Sequence, residues 1–525
     1  MTNSIAEIRN TDAMFVIGSN TTENHPIIGA VMKQAKKRGA KLIVADPRRI
    51  ELADYADVFL QLKPGTNIAL LNGLMNVIIN KGLQDEQYIK DKTENYEELK
   101  VIIKDYTPER VAEICGIKAE DIEKAAVLYA QAQKAGIYYT MGVTQHSTGT
   151  NAVMSISNLA LLCGNIGIES AGVNPLRGQN NVQGACDMGG LPGDLPGYQK
   201  VFKPEVIQKF EDAWGAKLSG KVGTTIGEMF EGIEKDEIKF LYIMGENPVV
   251  SDPDTNHVKK VLSHANFIVV QDIFMNETTE FADVILPAAA FAEKDGTFSN
   301  TERRVQRVRK AINPPGESKA DWEILMNIMN KMGYKNKYNH PGEIMDEIAK
   351  LTPSYGGISY ERLESESLQW PCLDENHPGT KYLHKNALAR GRGLFMPADY
   401  VMSAEMPDEE FPLIMTTGRI LYHYHTRTMT GKEDGLNQLA PKSYVEINPY
   451  TANRLSIQDG EMVRLVSRRG EIQTSARITE IIDDGVVFMP FHFAEGAANY
   501  LTNTVTDKIA QIPELKVSAI RIEKL

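Results

Sequence analysis

Two sets of residues recur in this chain at matched spacing, and both suit the holding of nucleotides. Gly18-Ser19-Asn20 is followed by Asp46, 28 positions after Gly18, and then by Asp57 after 11 more. Gly245-Glu246-Asn247 is followed by Asp272 after 27 positions and by Asp283 after 11 more. A glycine at a strand end lets the backbone approach a phosphate, and an acid at the end of the next strand can accept bonds from a ribose or a purine edge. A single G-x-N is equally well explained by turn geometry, but its duplication at near-equal spacing favours binding in both halves. A third stretch, "GVNPLRGQNNVQGACDMG" from Gly172 to Gly189, holds Arg177 as its one cation and Asp187 as its one anion. A guanidinium is a planar fork of donors that matches a carboxylate or a phosphate. On the residues alone, pairing with Asp187 or with a pyrophosphate is the first account of Arg177.

These residues need strand ends to stand on. "AMFVIG", the helically spaced "NHPIIGAVMKQAKKRG", "AKLIVADPRR" and "ADVFLQLKPG" read as a βαβ unit with a further short strand. The order returns after residue 240 with "FLYIMGENP", "DPDTNHVKKVLSHA", "NFIVVQDIF" and "ADVILPAAA". Residues 85–135 read as helical, and "AGIYYTMGVTQHSTGT" as a strand closing in a polar turn before the helix "NAVMSISNLALLCGNIG". Residues 310–395 are rich in Pro, Gly and charge and read as a surface connector, whereas the short β-rich runs after residue 410 read as a small barrel-like domain. The fold class is therefore α/β: two related Rossmann-like halves followed by a C-terminal β-barrel-like domain. The expected domains are 1–180, 181–310, a connector at 311–400, and 401–525.

Bulk properties narrow the function. A 525-residue chain with net charge -12 and only short basic runs is no general nucleic-acid binder, and no apolar run approaches the roughly 20 residues of a membrane span. Cys115, Cys163, Cys186 and Cys372 form no C-x-x-C pair, so zinc, an iron–sulfur cluster or a redox disulfide is not expected among these residues. The first 20 residues lack the pattern of a signal peptide, which leaves a cytoplasmic location as the default.

The tract "MGVTQHSTGTNAVMSISNLALLCGNIGIESAGVNPLRGQNNVQGACDMGGLP", the segment "FADVILPAAAFAEKDGTFSNTERRVQ" and "TTGRILYHYHTRTMTG" together resemble the molybdopterin oxidoreductase family, and "RGQNNVQGACDMG" resembles its formate dehydrogenase catalytic subunits. The resemblance runs the length of the chain. It implies molybdenum or tungsten held between two molybdopterin guanine dinucleotides, one per α/β half, with the β domain closing over both. The first dinucleotide would meet Gly18, Asn20, Asp46, Arg48, Gly65, Thr66, Met141 and Gly142, and the second Gly245, Asn247, Gln271 and Asp272. Thr417, Gly418, Arg419, His425, Thr426 and Asn499 would contribute from the cap. Arg177 would orient formate, with Gln179 beside it as a second catalytic residue and Gly178 and Asn180 approaching the cofactor. Asn300, Arg303 and Arg304 would serve packing or the electron path. His146, His423, His425 and His492 are expected to hydrogen-bond rather than ligate, although His423 and His425 could form a zinc pair.

The resemblance also implies an N-terminal module that these residues do not contain, bearing a 4Fe–4S cluster and a selenocysteine or cysteine metal ligand followed by histidine. The expectation is a chain truncated by annotation at a selenocysteine codon, inactive by itself, with a genuine split subunit as the rival. The reaction implied is two-electron oxidation of formate to carbon dioxide, with electrons leaving to a ferredoxin-like, nicotinamide-reducing or deazaflavin-reducing subunit or to hydrogenase. A non-catalytic scaffold subunit and an oxidoreductase for another small oxyanion are the alternatives.

Overall fold

The computed structural model describes all 525 residues. Its first sheet is built on β1 (Ala13–Ile17), β2 (Lys41–Ala45), β3 (Val58–Leu60), β4 (Ala135–Tyr139) and β5 (Gly172–Pro175), all parallel, in the order β3-β2-β1-β4-β5. All five residues of β1 are buried, as expected of a central parallel strand covered on both faces. Alternation divides them: Ala13, Phe15 and Ile17 join one hydrophobic cluster, whereas Met14 and Val16 join the other. Helix α1 (Pro26–Lys37) opens on a proline at its first turn and packs Val31, Met32 and Ala35 onto the second cluster. Helices α2 (Asn67–Asn80), α3 (Ala119–Ala130) and α4 (Gly149–Leu162) cover the other face. Strand order reverses between β1 and β4, so the carboxyl ends of those two strands form the switch point where ligands of open α/β sheets bind. Strand β5 was not foreseen, because "GVNP" runs straight into a Gly-rich tract.

A second parallel sheet holds β6 (Phe240–Met244), β7 (Phe267–Asp272) and β8 (Val284–Pro287) in the order β8-β7-β6. It is thinly covered: Phe240 is 54% and Phe267 43% exposed, their rings stacked 6.0 Å apart. An antiparallel sheet follows from β9 (Gly296–Ser299), β10 (Arg304–Val308) and β11 (Leu368–Gln369). The barrel closes as β12-β16-β13-β15-β14-β17, formed by β12 (Leu413–Gly418), β13 (Tyr444–Ile447), β14 (Met462–Val466), β15 (Glu471–Ile478), β16 (Val486–Pro490) and β17 (Ser518–Lys524).

Compactness divides the chain into two units: Met1–Leu176 with Pro248–Val258 and Tyr382–Leu525, and Arg177–Asn247 with Lys259–Lys381. The expected connector at 311–400 needs correction. It contains helices at Asp321–Lys331, Pro341–Leu351 and Tyr360–Ser365, and Met345, Tyr355, Ile358, Leu363, Leu368 and Cys372 form a buried cluster with Val305. The Pro, Gly and charged residues that suggested a connector are the breaks between short amphipathic elements. Farther on, Phe395 is buried in the core of the first sheet, and the side chains of Asn158 and Asn72 donate to the carbonyls of Met396 and Ala398. No helix is long and apolar enough to cross a membrane.

Candidate functional site

At the switch point of the first sheet two glycines meet. Gly18 follows β1 with φ +55°, and its N–H donates to the Ala45 carbonyl at 2.9 Å. Gly142, just past β4, donates to the Gly18 carbonyl at 3.2 Å, and Thr140 Oγ1 donates to the same oxygen at 2.7 Å. A Cβ on Gly18 would lie 2.7 Å from the Gly142 backbone, so the two turns close only because both residues are glycine. Helix α2 begins beside them, preceded by Gly65 (φ +87°) and Thr66, whose hydroxyl donates to the Lys63 carbonyl. Met141 opens the short turn of helix after β4, where its sulfur accepts from Thr144 Oγ1.

Two polar atoms at this switch point lack a protein partner. Asn20 accepts from Thr22 through Oδ1, but its Nδ2 is buried without an acceptor. His146 Nε2 lies 3.0 Å from the Gly142 carbonyl and 3.4 Å from Asn67 Nδ2, while Nδ1 is buried without a partner. Burial lowers the His146 pKa to about 4, so the ring is neutral. Asp46 closes β2, where its Oδ1 accepts from the Arg48 N–H at 3.0 Å; burial pushes its carboxyl up to about 6, although part of its surface stays accessible.

The cap adds two cations. Lys516, two residues before β17, donates to the Thr417 carbonyl at 2.6 Å, and Thr417 Oγ1 donates to Leu515. Burial and the neighbouring charge of Arg419 bring the Lys516 ammonium down to about 7 against the pull of Asp46. Burial likewise lowers Arg419, which stands 5.4 Å from the Phe491 ring. Lys516 was missed in the sequence: it stands 470 positions from Asp46, and its one local signal is a lone cation in "ELKVSAI" at the start of an apolar strand.

Further residues of the expected dinucleotide set also make contacts within the protein. Gly418 fits where a Cβ would meet the Phe488 ring at 2.6 Å. Arg48 turns its fork to Glu446, at 3.0 and 3.1 Å, and stacks over Phe488, so the guanidinium expected at a dinucleotide ties the first sheet to the barrel. Asn499 donates to the carbonyls of Val250 and Ser251 and accepts from Thr502. His492 accepts from the Ile420 N–H and donates to the His425 carbonyl, and burial takes its pKa to about 3. His425 has φ +45° with its ring against Phe491, and Thr426 shares a hydrogen bond with Thr428. His423 meets Thr430 through Nδ1 and the Ala440 carbonyl through Nε2, so both nitrogens are engaged and the zinc-pair reading is set aside.

In the second sheet Gly245 repeats the first turn, with φ +62° and its N–H on the Gln271 carbonyl at 2.8 Å. The side chains differ from those of the first half. Asn247 donates to Glu277 and accepts from Thr278, both at 2.7 Å. Gln271 accepts from Tyr242 and donates to Asp321. Asp272 accepts from the N–H of Ile273 and from Asn276 Nδ2, with its carboxyl raised by burial. A Cβ on Gly245 would have nothing within 4 Å, which leaves this turn open to a ligand.

Arg177, exposed, is held at both ends. Its N–H donates to Thr301 Oγ1 at 3.0 Å and its Nε to Gln183 Oε1 at 3.3 Å. Gly178 and Asn180 are exposed and Gln179 half-buried beside it. Gln183, not Arg177 Nε, donates to Asp187, so the expected Arg177–Asp187 pairing is relayed through an amide. Arg303 is buried with φ +66° and donates to the carbonyls of Trp370, Thr380 and Lys381. Arg304 binds Glu302, Ser367 and Gln369, and Asn300 accepts from the N–H groups of Glu302 and Arg304. All three are therefore engaged within the protein.

The first half thus offers orphaned polar atoms on Asn20 and His146, a glycine cradle and one acid, and the cap adds two half-buried cations, a set that fits a nucleotide diphosphate and its base. No three His, Cys, Asp or Glu side chains gather as a metal site.

Residues 1–331 match the molybdopterin oxidoreductase family and residues 413–519 the molydopterin dinucleotide binding domain. The chain is 54% identical to the F420-dependent formate dehydrogenase subunit alpha of Methanocaldococcus jannaschii, covering 100% of this chain and 78% of that protein. It is 48% identical to the F420-dependent formate dehydrogenase 1 subunit alpha of Methanococcus maripaludis at the same coverage. It is 42% identical to formate dehydrogenase H of Escherichia coli, over 100% of this chain and 74% of that one. Among solved structures, acetylene hydratase from Pelobacter acetylenicus shares the fold, with TM-score 0.77 and 18% identity over 99% of this chain and 81% of that one.

Proposed function

This chain belongs to the molybdopterin oxidoreductase family, and we propose that it is the catalytic, formate-oxidising part of a formate dehydrogenase alpha subunit. The observation that carries the reading is Arg177, fixed by Gln183 and Thr301 within the Arg-Gly-Gln-Asn-Asn tract, in a chain 54% identical along its whole length to a protein named for that activity. Formate is a one-carbon carboxylate, and its two oxygens match a planar guanidinium fork. Held so, its C–H bond has a fixed direction, and breaking it to carbon dioxide releases one proton and two electrons. The cofactor, a bis-molybdopterin guanine dinucleotide carrying molybdenum or tungsten, supplies the metal that takes up those electrons when bound.

The residues of this chain bind and orient. Gly18, Gly142 and Gly65 admit the first dinucleotide, Asn20 offers Nδ2, and Asp46 accepts from its base. Arg419 and Lys516 meet its diphosphate. Gly245 serves the second dinucleotide through its main chain, and Gln179 donates to substrate or cofactor without adding charge. The F420-dependent relatives favour a deazaflavin-reducing subunit as electron acceptor, reached through a 4Fe–4S cluster.

The test is to purify the native complex containing this chain and follow formate-dependent reduction of benzyl viologen and of F420. Arg177→Ala is expected to lower kcat/KM for formate by about 10²–10³. A complex with full metal and nucleotide content that leaves formate unchanged overturns the reading.

A further inference from the structure

We propose that Gln183 and Asp187 are positioning residues for Arg177, forming a relay that fixes the plane of its guanidinium. The proposal rests on Arg177 as the substrate-orienting residue and extends that reading to groups no motif singles out. Val182–Asp187 is one short helical segment, so Gln183 and Asp187 at i and i+4 face the same way. Asp187 is 1% exposed, and its oxygens are filled in pairs. Oδ1 accepts from Gln183 Nε2 and Tyr198 Oη, both at 2.8 Å, and Oδ2 accepts from Tyr355 Oη at 2.6 Å and Trp370 Nε1 at 2.7 Å. Four donors from four places in the chain hold one carboxylate still.

That carboxylate decides which way the Gln183 amide lies. With Nε2 on Asp187 Oδ1 and also within 3.0 Å of Tyr198 Oη, Oε1 must face Arg177 Nε. A flipped amide would set an oxygen against the carboxylate and N–H groups against the guanidinium, unfavourable at both ends. An acceptor fixed at Nε sets rotation about the Cδ–Nε bond and therefore the plane in which the fork meets a planar oxyanion. Thr301 pins the backbone of the same residue, and Ser299, bound to both Asn181 Oδ1 and Tyr355 Oη, ties this loop to the helix start and to the hub. Burial and the adjacent Asp187 charge raise Tyr198 and Tyr355, which keeps both hydroxyls donating throughout the working pH range.

The experiment uses the purified, cofactor-loaded complex with Gln183→Leu, Asp187→Asn and the exchange Q183E/D187N, in which amide and carboxylate trade places. Gln183→Leu and Asp187→Asn are expected to raise KM for formate, and Ki for nitrate as a planar oxyanion probe, about tenfold in parallel, with kcat changed less than threefold and metal and nucleotide content unchanged. The exchange should bring both constants back to within threefold of the parent. A crystal structure of Gln183→Leu should show the Arg177 guanidinium turned from its parent plane. If KM and Ki stay within twofold in a fully loaded Gln183→Leu enzyme, or the guanidinium keeps its plane, the relay is overturned. A merely structural role would instead lower Tm and cofactor content and leave the constants of the loaded fraction unmoved. If Asp187→Asn fails to fold, Gln183→Leu still decides. A parent complex inactive on formate would defeat the functional reading, while the guanidinium plane and nitrate binding would still judge the relay.

Discussion

The segments β1–β3 and β6–β8 are two versions of one backbone put to different uses. In both, a glycine after the first strand donates to the second, through Gly18 to Ala45 and Gly245 to Gln271. In both, an aspartate before the third strand accepts from a second-strand N–H, Asp57 from Leu42 and Asp283 from Ile268. Side chains part company at the ligand end. The first version buries β1 inside five strands and leaves Asn20 Nδ2 and His146 Nδ1 without partners, whereas the second exposes Phe240 and Phe267 and satisfies Asn247 and Gln271 internally. A repeated hydrogen-bond skeleton therefore fixes where a ligand can enter, while the unmet polar atoms tell how much of it the side chains hold.

Substitutions can break this contrast. The largest difference is expected at the paired glycines: Gly18→Ala meets backbone at 2.7 Å and should cost about 3–5 kcal/mol, but Gly245→Ala faces open space and should cost only about 1–2 kcal/mol for its left-handed φ. Urea unfolding of both variants measures this, and equal losses would end the distinction. Next come the asparagines. Asn247→Ala strips partners from Glu277 and Thr278 and should cost about 2–3 kcal/mol, while Asn20→Ala should cost less than about 1 kcal/mol and yet lower guanine nucleotide retained by the purified complex.

The smallest effect is in pH. Lys516 titrates near 7 in the folded chain against an ordinary 10.5, so the unfolded chain binds more protons between those values and stability rises with pH across them. Asp46 titrates near 6 against 3.8, so the folded chain binds more protons there and stability falls as pH rises from 3.8 to 6. Lys516→Met should flatten the first slope and Asp46→Asn the second, each by about 2–4 °C in Tm. Thermal melts of the cofactor-free chain at pH 4, 6, 7 and 10 would show it.

The sequence displayed the strand ends well, because Gly18, Asp46 and Asp57 sit at spacings that βαβ geometry imposes and their counterparts repeat them. It displayed partners poorly. Nothing local in "DPRR" reveals that Arg48 turns to Glu446, nearly 400 positions away, or that Asn247 is consumed by Glu277. The hub residues Tyr355 and Trp370 were hidden for another reason: they lie in a stretch whose prolines and glycines resemble a linker, while their purpose is set by a carboxylate at 187. Local periodicity encodes elements, whereas long-range pairing is written only in three dimensions.

The first compact unit is assembled from both ends of the chain, and this bears on its synthesis. The loop after β4 is held by Glu514, which accepts from Ser147, and by Asp507, which accepts from the N–H and hydroxyl of Thr150. Those carboxylates leave the ribosome more than 350 residues after the backbone they hold. At about 5–20 residues per second, the nascent first sheet waits tens of seconds with that loop untied. Such a delay gives the cell an interval in which the turn at Gly142 is open, and it makes the segment holding Asp507 and Glu514, translated long after the sheet, the one that ties it down.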